Sequence, residues 1–489
     1  MGNLKKLAGH TLIYGLSSLL ARFINYLMNP IYTNYFKDPS EYAIYSEFYI
    51  YIPILLTVLT FGLETGYFRF SSKYKDVKDK VYSTTFTFLL VTSTLFVLYT
   101  TFGYDGIISG LDLSPNKWYV ILTGWIVFFD VLCAIPFVRL RNENRSATFV
   151  VLKTVNILIN VLFNLLLLFV VPKLFPSLPP MGILVIFIAN LVASVTTLFL
   201  VLRLAGLPSI RISKPLMKEL AIYSVPLVIS GLAGQVNDLL DRYSIKYLLP
   251  ESAKPMFQLG IYTSNLKLAI VLTLFTQMFR YAAEPFFFNN VRKEDSAKTY
   301  ADVFKYFSVF GMIIFLLVTL YIDIFQYLEG ANYREGLFIV PVLLLSYYFV
   351  GLLYNLQIIF KLHDKTRRTV DVTLAGLILL VVFNIFMVPH FGYQAAAWGR
   401  LLSFVFMCVV SYWFGKKIVS IPYDFKNIGF YFVFGLGLFF LSKAIRPENL
   451  YLRMAVNTLL FGSYVLVFLY KEKINPVTIA KSLLKWKSK

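Results

Sequence analysis

Apolar runs of about 20 residues succeed one another along this chain, separated by short polar stretches in which Lys and Arg gather. A membrane β-barrel would alternate apolar and polar positions in segments of about ten residues, and this chain does not. The pattern predicts an all-α polytopic membrane protein with about 14 transmembrane helices. They are expected near 11–36, 42–68, 81–104, 118–140, 147–171, 180–203, 218–249, 259–289, 300–328, 336–361, 369–389, 391–415, 427–446 and 451–471. The break between the eleventh and twelfth is expected at Pro389-His390-Phe391-Gly392. The first run, Thr11 to Phe36, is too long for a signal-peptide core and is expected to stay in place.

Composition agrees: 58% of the 489 residues are hydrophobic and 15% are charged, with a mean hydropathy of +0.68. Placing the N-terminus inside puts most of the 46 Lys and Arg on one side, as the positive-inside rule requires, so N-in and C-in are expected. The +20 net charge then belongs to a face that meets anionic lipid, and nucleic-acid binding is not needed to explain it. Cys133 and Cys408 lie in apolar runs, and His10, His363 and His390 are scattered, which suggests neither a disulfide framework nor a bound metal. The outer loops are short, Asp105 to Lys117 being among the longest, which disfavours an enzyme such as a glycosyl polymerase.

Helices 1–6 and 7–12 echo each other. "LFNLLLLFVVP" from Leu162 falls opposite "VFNIFMVP" from Val382, and "IYSEFYIYIPILL" from Ile44 falls opposite "IYTSNLKLAIVLT" from Ile261. Six helices per unit is an even number, so the repeat is parallel, about an axis along the membrane normal. Two six-helix bundles are expected at 1–210 and 211–420, with helices 13–14 and a basic tail at 421–489.

The segments "NYFKDPSEYAIYSEF", "GLETGYFRF", "LGIYTSNLKLA" and "FRYAAEPFFF" resemble the multidrug/oligosaccharidyl-lipid/polysaccharide flippase superfamily. Within it the chain is most similar to the polysaccharide and O-antigen repeat-unit flippases, and by layout the resemblance covers residues 5–415. Fourteen helices also look like the lipid II flippases, whose last two helices supply a lipid-tail groove. The multidrug extruders of the superfamily usually have twelve.

Charges inside spans are costly and tend to face a cavity. Ser18, Arg22, Asn25 and Asn29 make one stripe on helix 1, Gln235, Asp238, Asp241 and Arg242 one on helix 7, and Gln277, Arg280 and Glu284 one on helix 8. The resemblance implies a cationic substrate cavity formed by Arg22, Asn25, Arg242, Arg280, Lys267 and Arg400 around the pyrophosphate of a lipid-linked oligosaccharide, since guanidinium groups match phosphate bidentately. The other reading is that Asp238–Arg242 and Arg280–Glu284, each spaced i, i+4, neutralise one another. No G-x-x-x-x-G-K-[ST] is present, so movement runs down the substrate gradient or is coupled to H⁺ or Na⁺. Glu64, Asp238, Asp241 and Glu284 are the candidate coupling or gating carboxylates, and no other cofactor is expected. Glu64 is expected about one turn from the inner end of helix 2.

Together these expectations describe a flippase of the inner membrane working by alternating access on an undecaprenyl-pyrophosphate-linked oligosaccharide. Its expected partners are membrane lipids and other polysaccharide-assembly proteins. A lipid II flippase is the nearest alternative, and a cation-coupled extruder would call for a cavity dominated by acids.

Overall fold

The computed structural model describes residues 27–73, 78–143, 145–290, 296–363, 365 and 367–473, all helical or connecting, with no strand among them. The description of α1 covers 27–35, and α2 (Pro39–Tyr49), α3 (Tyr51–Leu59) and α4 (Leu63–Lys73) come after it. Next are α5 (Lys78–Phe102), α6 (Tyr104–Leu111), α7 (Lys117–Asn142) and α8 (Ser146–Leu165). A π turn at Leu166–Val170 then leads into α9 (Val171–Leu174). The chain continues with α10 (Leu184–Ala205), α11 (Lys214–Leu248), α12 (Pro255–Asn290), α13 (Ser296–Leu320) and the short α14 (Ile322–Phe325). It ends with α15 (Val340–Leu362), α16 (Arg367–Lys416), α17 (Phe425–Ile445) and α18 (Leu450–Lys471).

Eleven of the described segments are long and apolar enough to cross a membrane, fewer than the fourteen expected. Part of the shortfall is α16, one run of 50 residues that holds the expected helices 11 and 12. Gly392 divides it with φ 58° and ψ −142°, a conformation only glycine adopts easily. The longer, more polar α11 is not among the eleven, and most of the expected helix 1 lies outside the described residues.

Three expected boundaries shift. Helix 9 ends at Leu320, and residues up to 339 form the short α14 and 3₁₀ turns instead of one continuous helix. The outer stretch 105–117, expected as loop, holds α6. Helix 2 is broken in its middle and runs on to Lys73, because Phe61 (φ 50°) and Gly62 (φ 63°) both take the left-handed region. Glu64 is therefore nine residues short of the end of α4, about 14 Å along the axis, and not one turn. The Thr60 hydroxyl donates to the Leu56 carbonyl at 2.7 Å and the Leu63 amide to the Thr60 carbonyl at 2.8 Å, so the break leaves these groups paired.

Local chemistry explains the regular parts. Asp38, Asn116 and Asn449 cap α2, α7 and α18 by accepting backbone amides two residues on, at 2.9, 3.0 and 2.9 Å. Asp424 caps α17, and the Asn427 side chain that bonds it at 2.5 Å holds its carboxyl below the usual range. Within the spans, hydroxyls turn back to carbonyls four residues earlier: Thr85 to Val81 at 2.8 Å, Ser93 to Leu89 at 2.6 Å, Thr197 to Ala193 at 2.7 Å. No water is at hand in hydrocarbon, so such groups must find partners inside the chain.

The described residues group into two compact units. The first takes in the described part of Met1–Ser264 with Glu329–Glu335 and Thr373–Gly399. Here α7 packs between α5 and α10, while α4 lies against α7 and α11. The second takes in Asn265–Leu328, Gly336–Val372 and the described part of Arg400–Lys489. In it α13 is the centre post, packed by α15, α17 and α18. The hairpin α17–α18 is tied to α13 at both ends. Lys305 meets Glu472 at 2.7 Å, with Tyr431 donating to the same carboxylate at 3.0 Å. At the other end Arg453 meets Asp323 at 3.1 Å, and Asn457 donates to the Leu320 carbonyl at 2.6 Å.

Candidate functional site

Polar side chains in the first unit form three groups. The most enclosed centres on Glu329, fully buried just after the turns that end helix 9. Its carboxylate accepts the Asn29 amide at 2.7 Å and the Ser264 hydroxyl. Asn29 in turn accepts the Tyr42 hydroxyl at 2.7 Å. Thr33 accepts the Gly330 amide at 2.9 Å, and the Tyr333 hydroxyl donates to the Phe36 carbonyl at 2.6 Å. Residues 329–335 are thereby stitched to α1, α2 and α12 by neutral donors around one carboxylate.

The second group is the stripe on α11. Asp241 is fully buried and accepts the Tyr262 hydroxyl at 2.9 Å. Arg242 donates to the Ser46 carbonyl at 2.9 Å, so its guanidinium reaches α2. Gln235 donates to Thr57 at 2.9 Å, and Ser244 accepts the Asn384 amide at 3.0 Å. Asp238 lies half-buried on the same helix. Near the end of α11, Lys246 meets the buried carboxylate of Glu47 at 2.6 Å, and the Ser114 hydroxyl donates to that carboxylate at 3.3 Å.

The third group surrounds the break in helix 2. Glu64, in the first turn of α4, is accessible. The charges acting on it are Lys153 of α8 and Arg141 of α7. These cations and Arg69 stand on aromatic faces: Lys153 at 4.3 Å from the Phe137 ring centre, Arg141 at 5.1 Å from Phe68, Arg69 at 4.2 Å from Tyr223. Arg139 nearby is instead taken up by Asp79 at 3.0 Å and Glu143 at 2.9 Å.

Of the residues expected to line a cationic cavity, Arg242 belongs to the first unit and Lys267, Arg280 and Arg400 to the second. Arg280 lies 5.2 Å from the Tyr354 ring centre. Arg400, only 3% exposed, lies 5.0 Å from Tyr347 and 5.5 Å from Phe404. Lys267 is half-buried in α12. Arg22 and Asn25 lie outside the described residues, as does the side chain of Glu284. The second unit also holds a cavity of about 490 Å³ whose lining is almost wholly apolar, including Phe304, Tyr348, Leu352, Val409 and Phe432.

Sequence reasoning missed Glu329, Glu47, Lys246, Arg141 and Lys153. Glu329 sat at the edge of an expected loop, and Lys153 is a lone cation early in an expected span. The only signal for Lys153 is its charge inside an apolar run.

These features define a class. The fold is that of transporters in the multidrug/oligosaccharidyl-lipid/polysaccharide superfamily, as the sequence motifs led one to expect. It is similar to that of a lipid II flippase, MurJ, in an inward closed conformation: TM-score 0.73 at 13% identity, over 95% of this chain and 100% of that one. A multidrug resistance MATE family transporter of the superfamily in an inward-facing conformation matches at TM-score 0.68 and 12% identity, over 84% of this chain and 97% of that one. An outward-facing conformation matches at 0.62 and 13%, over 84% and 95%. Within this class the chain belongs to the polysaccharide biosynthesis protein family, which it matches over residues 7–291. No curated protein matches it.

Proposed function

We propose that the protein is a flippase that moves an undecaprenyl-pyrophosphate-linked oligosaccharide, the repeat unit of a surface polysaccharide, across the inner membrane by alternating access. The observation that carries this reading is membership of the polysaccharide biosynthesis family in a chain with the fold of a lipid II flippase. Two halves, 1–210 and 211–420, rock about a cavity that receives the head group inside and releases it outside. N- and C-termini are cytoplasmic, in keeping with the alternation of Lys and Arg along the loops.

Arg22, Asn25, Lys267, Arg242, Arg280 and Arg400 serve the pyrophosphate and sugars. Arg280 and Arg400 each lie against an aromatic ring, which fixes the direction of a guanidinium and supports this assignment. The lipid tail stays in apolar surroundings, for which the cavity against α17 has the chemistry and a volume of about 490 Å³. Coupling, if the carrier works against a gradient, falls to Asp238, Asp241, Glu64 or Glu284 with H⁺ or Na⁺. Asp241 has the strongest support, because Tyr262 holds its carboxylate in a fully buried position. Membrane lipids and other polysaccharide-assembly proteins are its partners, and no chemical step is assigned to it.

The test is translocation of a fluorescent lipid-linked oligosaccharide in vesicles by wild type and by Arg22→Ala, Arg242→Ala and Arg280→Ala. Loss of transport in these variants supports the cationic cavity, and wild-type rates in all three sink it. A second reading, transport of lipid II, is favoured by the TM-score of 0.73 to a lipid II flippase. Rescue of cells depleted of their own lipid II flippase would select it.

A further inference from the structure

The chain between α10 and α11, residues 206–213, is not helical, yet it is fastened along its length. Where α10 ends, the Arg145 guanidinium donates to the Leu204 carbonyl at 2.6 Å and the Tyr82 hydroxyl to the Gly206 carbonyl at 2.9 Å. Further on, the Ser209 and Ser213 amides donate to the hydroxyls of Ser83 and Thr84, both at 3.2 Å. The strap therefore lies along α5 with its backbone bonded to protein, and its apolar side chains are left bare. Leu207 is 81% exposed and Ile210 74%, with Ile212 exposed beside them. Arg203, Arg211, Lys214 and Lys218 are exposed along the same stretch and make no ion pair among the described residues. No acidic residue lies between Arg203 and Lys218.

Depth along α5 says what meets these side chains. Its 25 residues are about 37 Å long, for a hydrocarbon core of ~30 Å, so only the outermost turn at each end stands outside the core. Ser83, Thr84 and Thr87 lie five to nine residues from its start, about 8–14 Å along the axis. The Thr87 hydroxyl meets the Ser209 carbonyl at 3.5 Å, so the strap reaches the level where head groups give way to acyl chains. Backbone at that depth finds little water, and the hydroxyls of α5 supply its partners instead.

We propose that residues 203–218 dock on the anionic lipid surface of the inner leaflet. Leu207 and Ile210 are set among the upper acyl segments, and Arg203, Arg211, Lys214 and Lys218 draw anionic head groups. The choice of leaflet rests on the topology of the reading above. Apolar side chains interleaved with cations combine the two attractions that hold a segment in an interface, burial of apolar surface and charge. The Lys and Arg stems can follow the acyl chains while their heads stay at the phosphate level. A protein partner would need a patch standing clear of the bilayer, and the bonds to α5 hold this one at acyl depth. The strap is also the covalent joint between the halves at 1–210 and 211–420, which is thereby held at the membrane surface.

The test uses the full-length protein in nanodiscs, with Cys133→Ala and Cys408→Ala and a fluorophore at Leu207→Cys or Ile210→Cys. The fluorophore should be quenched by a nitroxide near the top of the lipid acyl chain and shielded from iodide. One at Glu251→Cys, an exposed position after α11, should show the reverse. Quenching at 207 and 210 by iodide and not by lipid overturns insertion. Association of spin-labelled phosphatidylglycerol relative to phosphatidylcholine should fall about fivefold in Arg211→Gln/Lys214→Gln, the size that one cation near a charged surface contributes. It should hold in Lys173→Gln, an exposed cation elsewhere. An unchanged ratio in the double variant, or an equal fall in the Lys173 variant, overturns the anionic-lipid assignment. This second measurement needs no cysteine change, so a labelled variant that misfolds leaves it intact. Insertion into the outer leaflet of right-side-out vesicles overturns the inner placement. Neither readout needs flipping, so failure here leaves the flippase reading standing, and the vesicle assay tests that reading alone.

Discussion

Glu47 and Glu64 stand 17 residues apart on the same interrupted helix run and are handled in opposite ways. Glu47 is buried, its carboxylate 2.6 Å from the Lys246 ammonium and bonded by Ser114. Glu64 is accessible, within the field of Lys153 and Arg141 but in direct contact with neither. A sealed pair has cancelled its charge, whereas Glu64 stays open, with Lys153 and Arg141 acting on it from two other helices. The first arrangement ties α2 to α11. Glu329 sides with Glu47, since Asn29 and Ser264 enclose it completely.

The contrast can be broken by measuring stability and transport on the same variants in detergent or nanodiscs. Glu47→Ala should have the largest effect, about 3 kcal/mol of lost stability, because it takes the buried partner from a mostly buried ammonium and leaves it only the exposed Asp112. The double variant with Lys246→Met should recover much of that, and thermal unfolding reads both. Glu329→Ala should cost about 2 kcal/mol, leaving the Asn29 and Ser264 donors without their acceptor. Gly62→Ala should cost about 1 kcal/mol, since φ 63° places a Cβ against the following backbone. Glu64→Gln should change stability by less than about 0.5 kcal/mol while altering transport. A large loss of stability at Glu64 would put it with Glu47 and erase the distinction.

Much of the fold could be read from the sequence because the signal is long: runs of about 20 apolar residues survive any local exception. The division of α16 was also legible, since Pro389 and Gly392 are helix breakers in plain view. The break at Phe61 was not. A phenylalanine at φ 50° follows no composition rule, and the apolar run from Leu55 to Phe70 passes over it unmarked. The polar stripe on α11 was legible as a stripe, but its spacing suggested that Asp238 would pair with Arg242 in the same helix. Arg242 reaches the Ser46 carbonyl on α2, a partner that no spacing within α11 reveals. The same limit hid Lys153 and Arg141, which approach Glu64 from two other helices.

The anchoring of α17–α18 bears on how such a chain can be shortened. Cutting before Phe425 would remove Glu472 from Lys305 and Arg453 from Asp323, stranding one charge of each sign on α13 and the turn after it. It would also strip one wall from the apolar cavity that Phe432 helps to line. The last hairpin is thus tied into the second unit by charge as well as by packing. In a chain shortened before Phe425, neutral residues at 305 and 323 should recover stability that Lys305 and Asp323 cost once their partners are gone.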